Sequence, residues 1–307
     1  LHWAIQYADD ELVALLIREG AHVNVVDHLG ISPLHHAASR GDQAIVELLL
    51  QSGANPDVRS DRYGAPLHWA VHARSLEVSR TLLSAGAFPD PADEWGRTPF
   101  QLAVLLDHPE IARFLLSRGA NVDAKDSSKR TLVHWVAVSR RRDLAEFLIE
   151  VGANVNARDG KGNTALHHAA QRGDHRLAAL LIEHDAAVNA STPGLHITPL
   201  HLAVRHGHAD TVRVLLLGGA DPNAHSKLYG APLHWAAESG RVIEAGVLLE
   251  FGASTAALDD HGLTPSQRAK ERGHADLLAL FLSAPALIDH SAPQLRSASF
   301  GDGYSEE

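Results

Sequence analysis

The sequence predicts an all-α solenoid of stacked helix-turn-helix units joined by turns. Two observations predict it. A string of Ser/Thr-Pro-Leu-His, a run of small residues and then Leu-Leu-(Leu/Ile)-x-x-Gly-Ala returns along the chain. Its proline position reads Pro33, Pro66, Pro99, Leu132, Ala165, Pro199, Pro232 and Pro265, with spacings of 33 residues and a single one of 34. Self-similarity at that period marks units that bury a core only against their neighbours. The second observation is that each unit holds helices too short to stand alone, each apolar on a face that only another unit can cover.

The second unit gives the pattern. Asp27 to Ile31 is a turn, Ser32 an N-cap and Pro33 a first-turn proline, whose missing N–H costs nothing there. Leu34 to Arg40 is an inner helix, which Gly41-Asp42 breaks. Gln43 to Gln51 is an outer helix that turns Ile45, Val46, Leu48, Leu49 and Leu50 inward. Gly53 follows where a left-handed residue ends a helix, and residues 54–58 lead into the next turn.

Composition agrees with stacking. Of the 307 residues 45% are hydrophobic and only 5% aromatic, which suits closely packed Ala- and Leu-rich helices. There is no cysteine, which excludes a disulfide framework and thiolate metal sites and fits a reducing compartment, cytoplasmic or nuclear. No apolar run approaches the ~18–20 residues of a membrane span. The chain opens in mid-repeat at Leu1-His2-Trp3-Ala4, and a preceding cap or further repeats are expected. The formal net charge of −10 argues against nucleic acid as the main partner.

These motifs resemble the ankyrin repeat family over residues 1–285, with about nine repeats, the first truncated. The resemblance implies a β-turn finger and two antiparallel helices per repeat, stacked into a curved array with a concave face. Repeat nine, residues 259–285, is polar where the others are apolar and resembles a terminal cap. Residues 286–307, rich in Ser, Pro and Gly, are expected to be disordered, and Arg296-Ser297-Ala298-Ser299 within them resembles a kinase site. Several units depart from the pattern. Leu132 and Ala165 replace the proline, Lys129 and Asp185 stand where Gly is expected, and one residue is inserted in Thr192 to His196.

Catalytic chemistry finds little support. Seven of the 22 histidines (His2, His35, His68, His134, His167, His201 and His234) fill one slot of the repeat, and Gln101 and Gln267 fill it elsewhere. Such a swap keeps hydrogen bonding and abandons catalysis. The family resemblance implies bonds from this residue to neighbouring backbone and to the preceding hydroxyl. Metalloprotease, phosphate-loop and serine-hydrolase motifs are absent. No catalytic residue, cofactor site or metal site is assigned, and the protein is read as non-enzymatic.

The resemblance implies that partners are read by the fingers and the exposed end of each inner helix. In register with repeat two, those positions hold twelve cations: Arg40, Arg59, Arg62, Arg97, Lys125, Arg130, Arg158, Lys161, Arg172, Arg205, Lys227 and Arg272. They hold five anions, Asp61, Glu94, Glu238, Asp260 and Glu271, so the face is expected to carry +7. Leu29, Ile31, Trp95, Leu105, Leu106 and Val138 add apolar groups, with Trp95 as a central anchor. The partner-binding set is these six with Arg40, Arg62, Arg97, Arg130, Arg158 and Arg172. The expected function is a monomeric interaction scaffold for an acidic, partly apolar protein segment. Alternatives are the regulatory part of a larger enzyme or channel and, less well supported for want of stacking aromatics, an RNA binder.

A left-handed non-Gly residue costs about 1 kcal/mol. Amide hydrogen exchange among internal repeats is therefore expected to be fastest over residues 126–198, and uniform protection would contradict this.

Overall fold

A computed structural model of the chain describes residues 1–7, 9–60, 62–139 and 141–283. The expectations placed on residues 286–307, the Arg296-Ser297 string included, lie outside the described residues. Eighteen helices and no strands occur among the described residues, as the sequence predicts. Inner helices such as Pro33–Arg40 and Pro66–His72 alternate with nine-residue outer helices such as Gln43–Gln51 and Leu76–Ser84. The fold is an all-α repeat solenoid.

Two compact units are formed, one of residues 1–169 and 179–187, the other of 170–178 and 188 onward. The first is cored by Leu34, Leu49, Leu67, Leu82, Phe100, Leu115, Leu132 and Leu148, all fully buried. The second is cored by Leu200, Leu215, Leu233, Trp235 and Leu248. Fully buried alanines at each inner helix, among them Ala37, Ala38, Ala70, Ala103 and Ala137 in the first unit, let neighbouring helices approach closely.

The slot histidine joins consecutive repeats. Its Nδ1 accepts the backbone N–H of the N-cap residue: Ser32 to His35 at 3.0 Å, Ala65 to His68 at 3.2 Å and Thr131 to His134 at 3.1 Å. Where the N-cap is Ser or Thr, the hydroxyl meets the same nitrogen, at 2.9 Å for Ser32 and 3.0 Å for Thr131. Because Nδ1 accepts, the ring proton sits on Nε2, which donates to a carbonyl 29 residues on. His35 reaches Gly64 at 3.0 Å, His68 reaches Arg97 at 2.9 Å and His134 reaches Asn163 at 3.1 Å. In the second unit His201 and His234 reach Gly230 and Leu263 in the same way. Gln101 accepts the Thr98 N–H on Oε1 and donates from Nε2 to a nearer carbonyl, that of Ala124. Only a neutral imidazole satisfies this geometry, since a second ring proton would face the N-cap N–H.

A second joint lies where each repeat leads into the next turn. Asn24 accepts the N–H of Asn55 at 2.7 Å and donates to the carbonyl of Gly53 at 2.8 Å. Asn156, Asn189 and Asn223 repeat both bonds. Asp57, Asp90 and Asp123 occupy the same register and only accept. Asp90 Oδ1 is buried without a hydrogen-bond partner, and burial raises the carboxyl above its ordinary range.

Strain falls at the departures and also where the sequence analysis did not place it. Lys129, Asp185 and His196 have positive φ, as do Arg74 at 54° and Asp107 at 61°. The latter two follow inner helices, where Gly41 and Gly207 serve elsewhere. In repeat nine Arg268 is buried rather than wet. It binds the buried Asp259 and lies 3.4 Å from Glu238, which also accepts from Arg272. Burial works against the charge on Asp259, but the bonds from Arg268, Leu263 and His261 outweigh it and hold the carboxyl below its ordinary range.

Two outcomes follow from these joints. Burial depresses His35 from 6.5 to about 4, and moves His68, His134 and His234 the same way. Above about pH 6.5 these rings are neutral in both states and nothing is lost. As pH falls through that value toward about 4, the unfolded chain gains protons that the folded slot refuses. Stability then declines, on the order of 3 kcal/mol from His35 alone. Urea midpoints between pH 7 and 4.5 check this, and His35→Gln should flatten the decline. Asp90→Asn should stabilise the fold by about 1 kcal/mol, because the amide supplies the donor that Asn24 provides to Gly53. A urea midpoint unchanged or lowered at pH 7 would contradict it.

Candidate partner-binding face

Most fingers are built on one acceptor side chain near their base. In the first unit Asp93 Oδ1 takes the N–H groups of Trp95 and Arg97, at 3.0 and 2.8 Å. Asp126 does so for Ser128 and Arg130, and Asp159 for Lys161 and Asn163. The second carboxylate oxygen faces a donor: Arg97 on Asp93, Arg130 and the Trp135 indole on Asp126, His168 on Asp159. Burial opposes the charge on Asp159, yet bonds from Asn163, His168 and Lys161 outweigh it and lower the pKa. In the fingers of Tyr63 and Tyr229 a serine replaces the acid: Ser60 accepts the Tyr63 N–H, Ser226 donates to the Gly230 carbonyl, and each tyrosine ring meets a tryptophan edge-on, Trp69 or Trp235.

Main-chain bonds zip three of these fingers together. Ser127 N–H donates to the Trp95 carbonyl at 3.0 Å, and Gly160 N–H to the Ser128 carbonyl at 3.0 Å. The approach is close enough that a Cβ on Gly96 would lie 2.6 Å from the Ser127 nitrogen. Between the fingers of Arg62 and Glu94 an ion pair at 3.3 Å is formed.

The residues expected to bind fall into three groups. Trp95 is 44% exposed, with the Arg97 guanidinium 4.4 Å from its ring centre, so aromatic and cation are presented together. Leu29 and Leu106 are exposed, and Leu105 and Val138 half-buried. Ile31 is a correction: it is 6% exposed and belongs to the packing between repeats, its carbonyl accepting from His2. A finger register cannot tell which side of the turn a residue faces, and Ile31, just before the N-cap Ser32, turns inward.

The charge expectation also needs correction. Arg97 and Arg130 are counted as free cations in the sequence, but each is bound to a buried turn acid that the register count omits, and Arg130 also lies over Trp135 at 4.0 Å. Arg62 is paired with Glu94, Arg40 contacts Asp42 at 3.8 Å, and Arg158 is exposed with Nη1 donating to the Gly162 carbonyl. The described face is therefore less positive than +7, and Asp61 lies outside the described residues. Arg172 belongs to the second unit. Residues that sequence reasoning missed are Ser127, Ser128 and Lys129, exposed on the zipped fingers. Their signal was Lys129 at a glycine position.

The open cavity of about 200 Å³ between helices Pro109–Ser117 and Arg142–Glu150 is lined by Asp107, His108, Arg113 and Phe147, away from the fingers. Among the described residues no group of three or more His, Asp or Glu could hold a metal ion, and no helix is long and apolar enough to cross a membrane.

No curated protein matches the chain. A family model described as ankyrin repeats in three copies matches residues 1–93, 85–159, 156–226 and 200–292. Period, slot residue, finger and match agree, and the chain belongs to the ankyrin repeat family.

Proposed function

We propose that the chain is a non-catalytic scaffold or adaptor that binds an acidic, partly apolar protein segment on its fingers and inner-helix ends. Ankyrin repeats are in general protein-interaction modules, and the fold is typically non-catalytic. The observation that carries the finer reading is Trp95, exposed on a finger and held beneath Arg97. An aromatic ring in that state supplies apolar area at small entropic cost, and the cations around it select an acidic neighbour. Leu29, Leu105, Leu106 and Val138 extend the apolar contact, while Arg40, Arg62, Arg158 and Lys125 form the rim. Arg97 and Arg130 serve by shaping their fingers. We read the protein as a monomer of a reducing compartment, cytoplasm or nucleus, which the absence of cysteine supports.

The test is calorimetric binding of a segment identified by affinity capture and mass spectrometry. Trp95→Ala should cost about 2 kcal/mol, roughly thirtyfold in Kd. Lys125→Glu should cost under about 1 kcal/mol and slow association instead. Lys125 is chosen over Arg97 and Arg130 because reversing either of those places a like charge on a buried aspartate. Unchanged affinity in both variants would remove the fingers from consideration.

A further inference from the structure

Lys129 has φ +59° at the turn position that Gly30, Gly96, Gly162 and Gly262 fill in other fingers. A side chain in that region is strained, and a strained residue that the surrounding fold tolerates points to use. Its own finger and the next carry exposed cations and no exposed acid. The fingers of residues 125–130 and 158–162 carry Lys125, Lys129, Arg130, Arg158 and Lys161, and their only acids are Asp126 and Asp159. Both acids are buried and fully engaged beneath the turn, by backbone N–H groups and by Arg130 or His168. Lys125, Lys129 and Lys161 are exposed and form no ion pair among the described residues. The Gly160 to Ser128 bond holds the two fingers side by side, and the Ser127 to Trp95 bond sets the tryptophan finger beside them.

We propose that these two fingers bind a phosphorylated serine or threonine of a partner segment, with Lys129 as the central cation and Lys125 and Lys161 flanking it. The inference rests on the finger reading above and names its ligand chemistry. A phosphate monoester carries close to two charges at neutral pH and three acceptor oxygens, so one group can engage several ammonium groups, which a single carboxylate does less well. The compact ammonium of lysine suits a tetrahedral dianion approached from different fingers. The zipped backbone fixes the spacing before the ligand arrives. Trp95, on the adjoining finger, takes an apolar residue of the same segment.

The experiment uses the full chain on immobilised degenerate heptapeptide pools that differ only in a fixed central phosphoserine, aspartate or serine. Retention on the phosphoserine pool should exceed that on the other two by about fivefold or more. Lys161→Glu should abolish the preference, and Arg18→Glu, on a distant helix of the same unit, should leave it intact. Lys129→Gly is the decisive variant: relief of strain should raise the thermal midpoint while the phosphoserine preference is lost. A merely structural lysine would give the first effect alone, and that result overturns the proposal. Equal retention on phosphoserine and aspartate pools, dependent on Trp95, would overturn the phosphate inference and leave the acidic-segment reading standing. Retention on no pool that responds to Trp95→Ala or to the lysine variants would sink both. Tighter binding of a twelve-residue oligouridylate than of the phosphoserine pool would show a polyanion site instead.

Discussion

The structure depends on one side chain that must accept at one end and donate at the other. The slot histidine takes the first N–H of its own helix on Nδ1 and gives its Nε2 proton to a finger carbonyl 29 residues away. Helix start and next finger are thereby set by a single planar ring with no adjustable length. Gln101 also accepts that N–H and donates onward, to the Ala124 carbonyl 23 residues away, so the slot selects for a paired acceptor and donor and not for acid–base chemistry. The abundance of histidine in this chain is in large part a consequence of architecture.

The fingers obey a parallel logic. In most fingers an aspartate closes the turn by accepting backbone N–H groups, and its second oxygen takes a side-chain donor. In four fingers that donor sits nine residues downstream: Trp135 on Asp126, His168 on Asp159, Trp235 on Ser226 and Arg268 on Asp259. Residue types as different as Trp, His and Arg are interchangeable there because each places one N–H at the right reach. Trp69 departs from this, with its indole nitrogen buried and unpartnered although Ser60 holds the matching place. The same turn chemistry neutralises acids below the surface and leaves lysines above it, so structural need and surface charge are separated within a five-residue turn.

Most of the fold was legible in the residues. The 33-residue return, the first-turn prolines and the terminal glycines mark helices and turns through local sterics, and local sterics survive without knowledge of neighbours. The candidate face was legible only in part. Trp95 and Leu106 are exposed as expected, one at the tip of a finger and the other at the end of an inner helix, where neither has a neighbouring repeat to pack beneath. Ile31 was misplaced, because one residue of rotation in a turn exchanges core for solvent. Arg97 and Arg130 were overcounted as free charge, because the acids that bind them were assigned to the turn without regard to their second oxygen.

The sequence by itself determined the repeat, its helices and its turns, since all of these follow from spacing and from local sterics. Only the tertiary structure decided which fingers touch through their backbones, which of the cations are already paired, that Arg268 is buried, and that Arg74 and Asp107 carry left-handed strain. Those outcomes depend on distances between residues some thirty positions apart, and no periodicity in a one-dimensional string records whether two groups brought into register lie at 3 Å or beyond reach of each other.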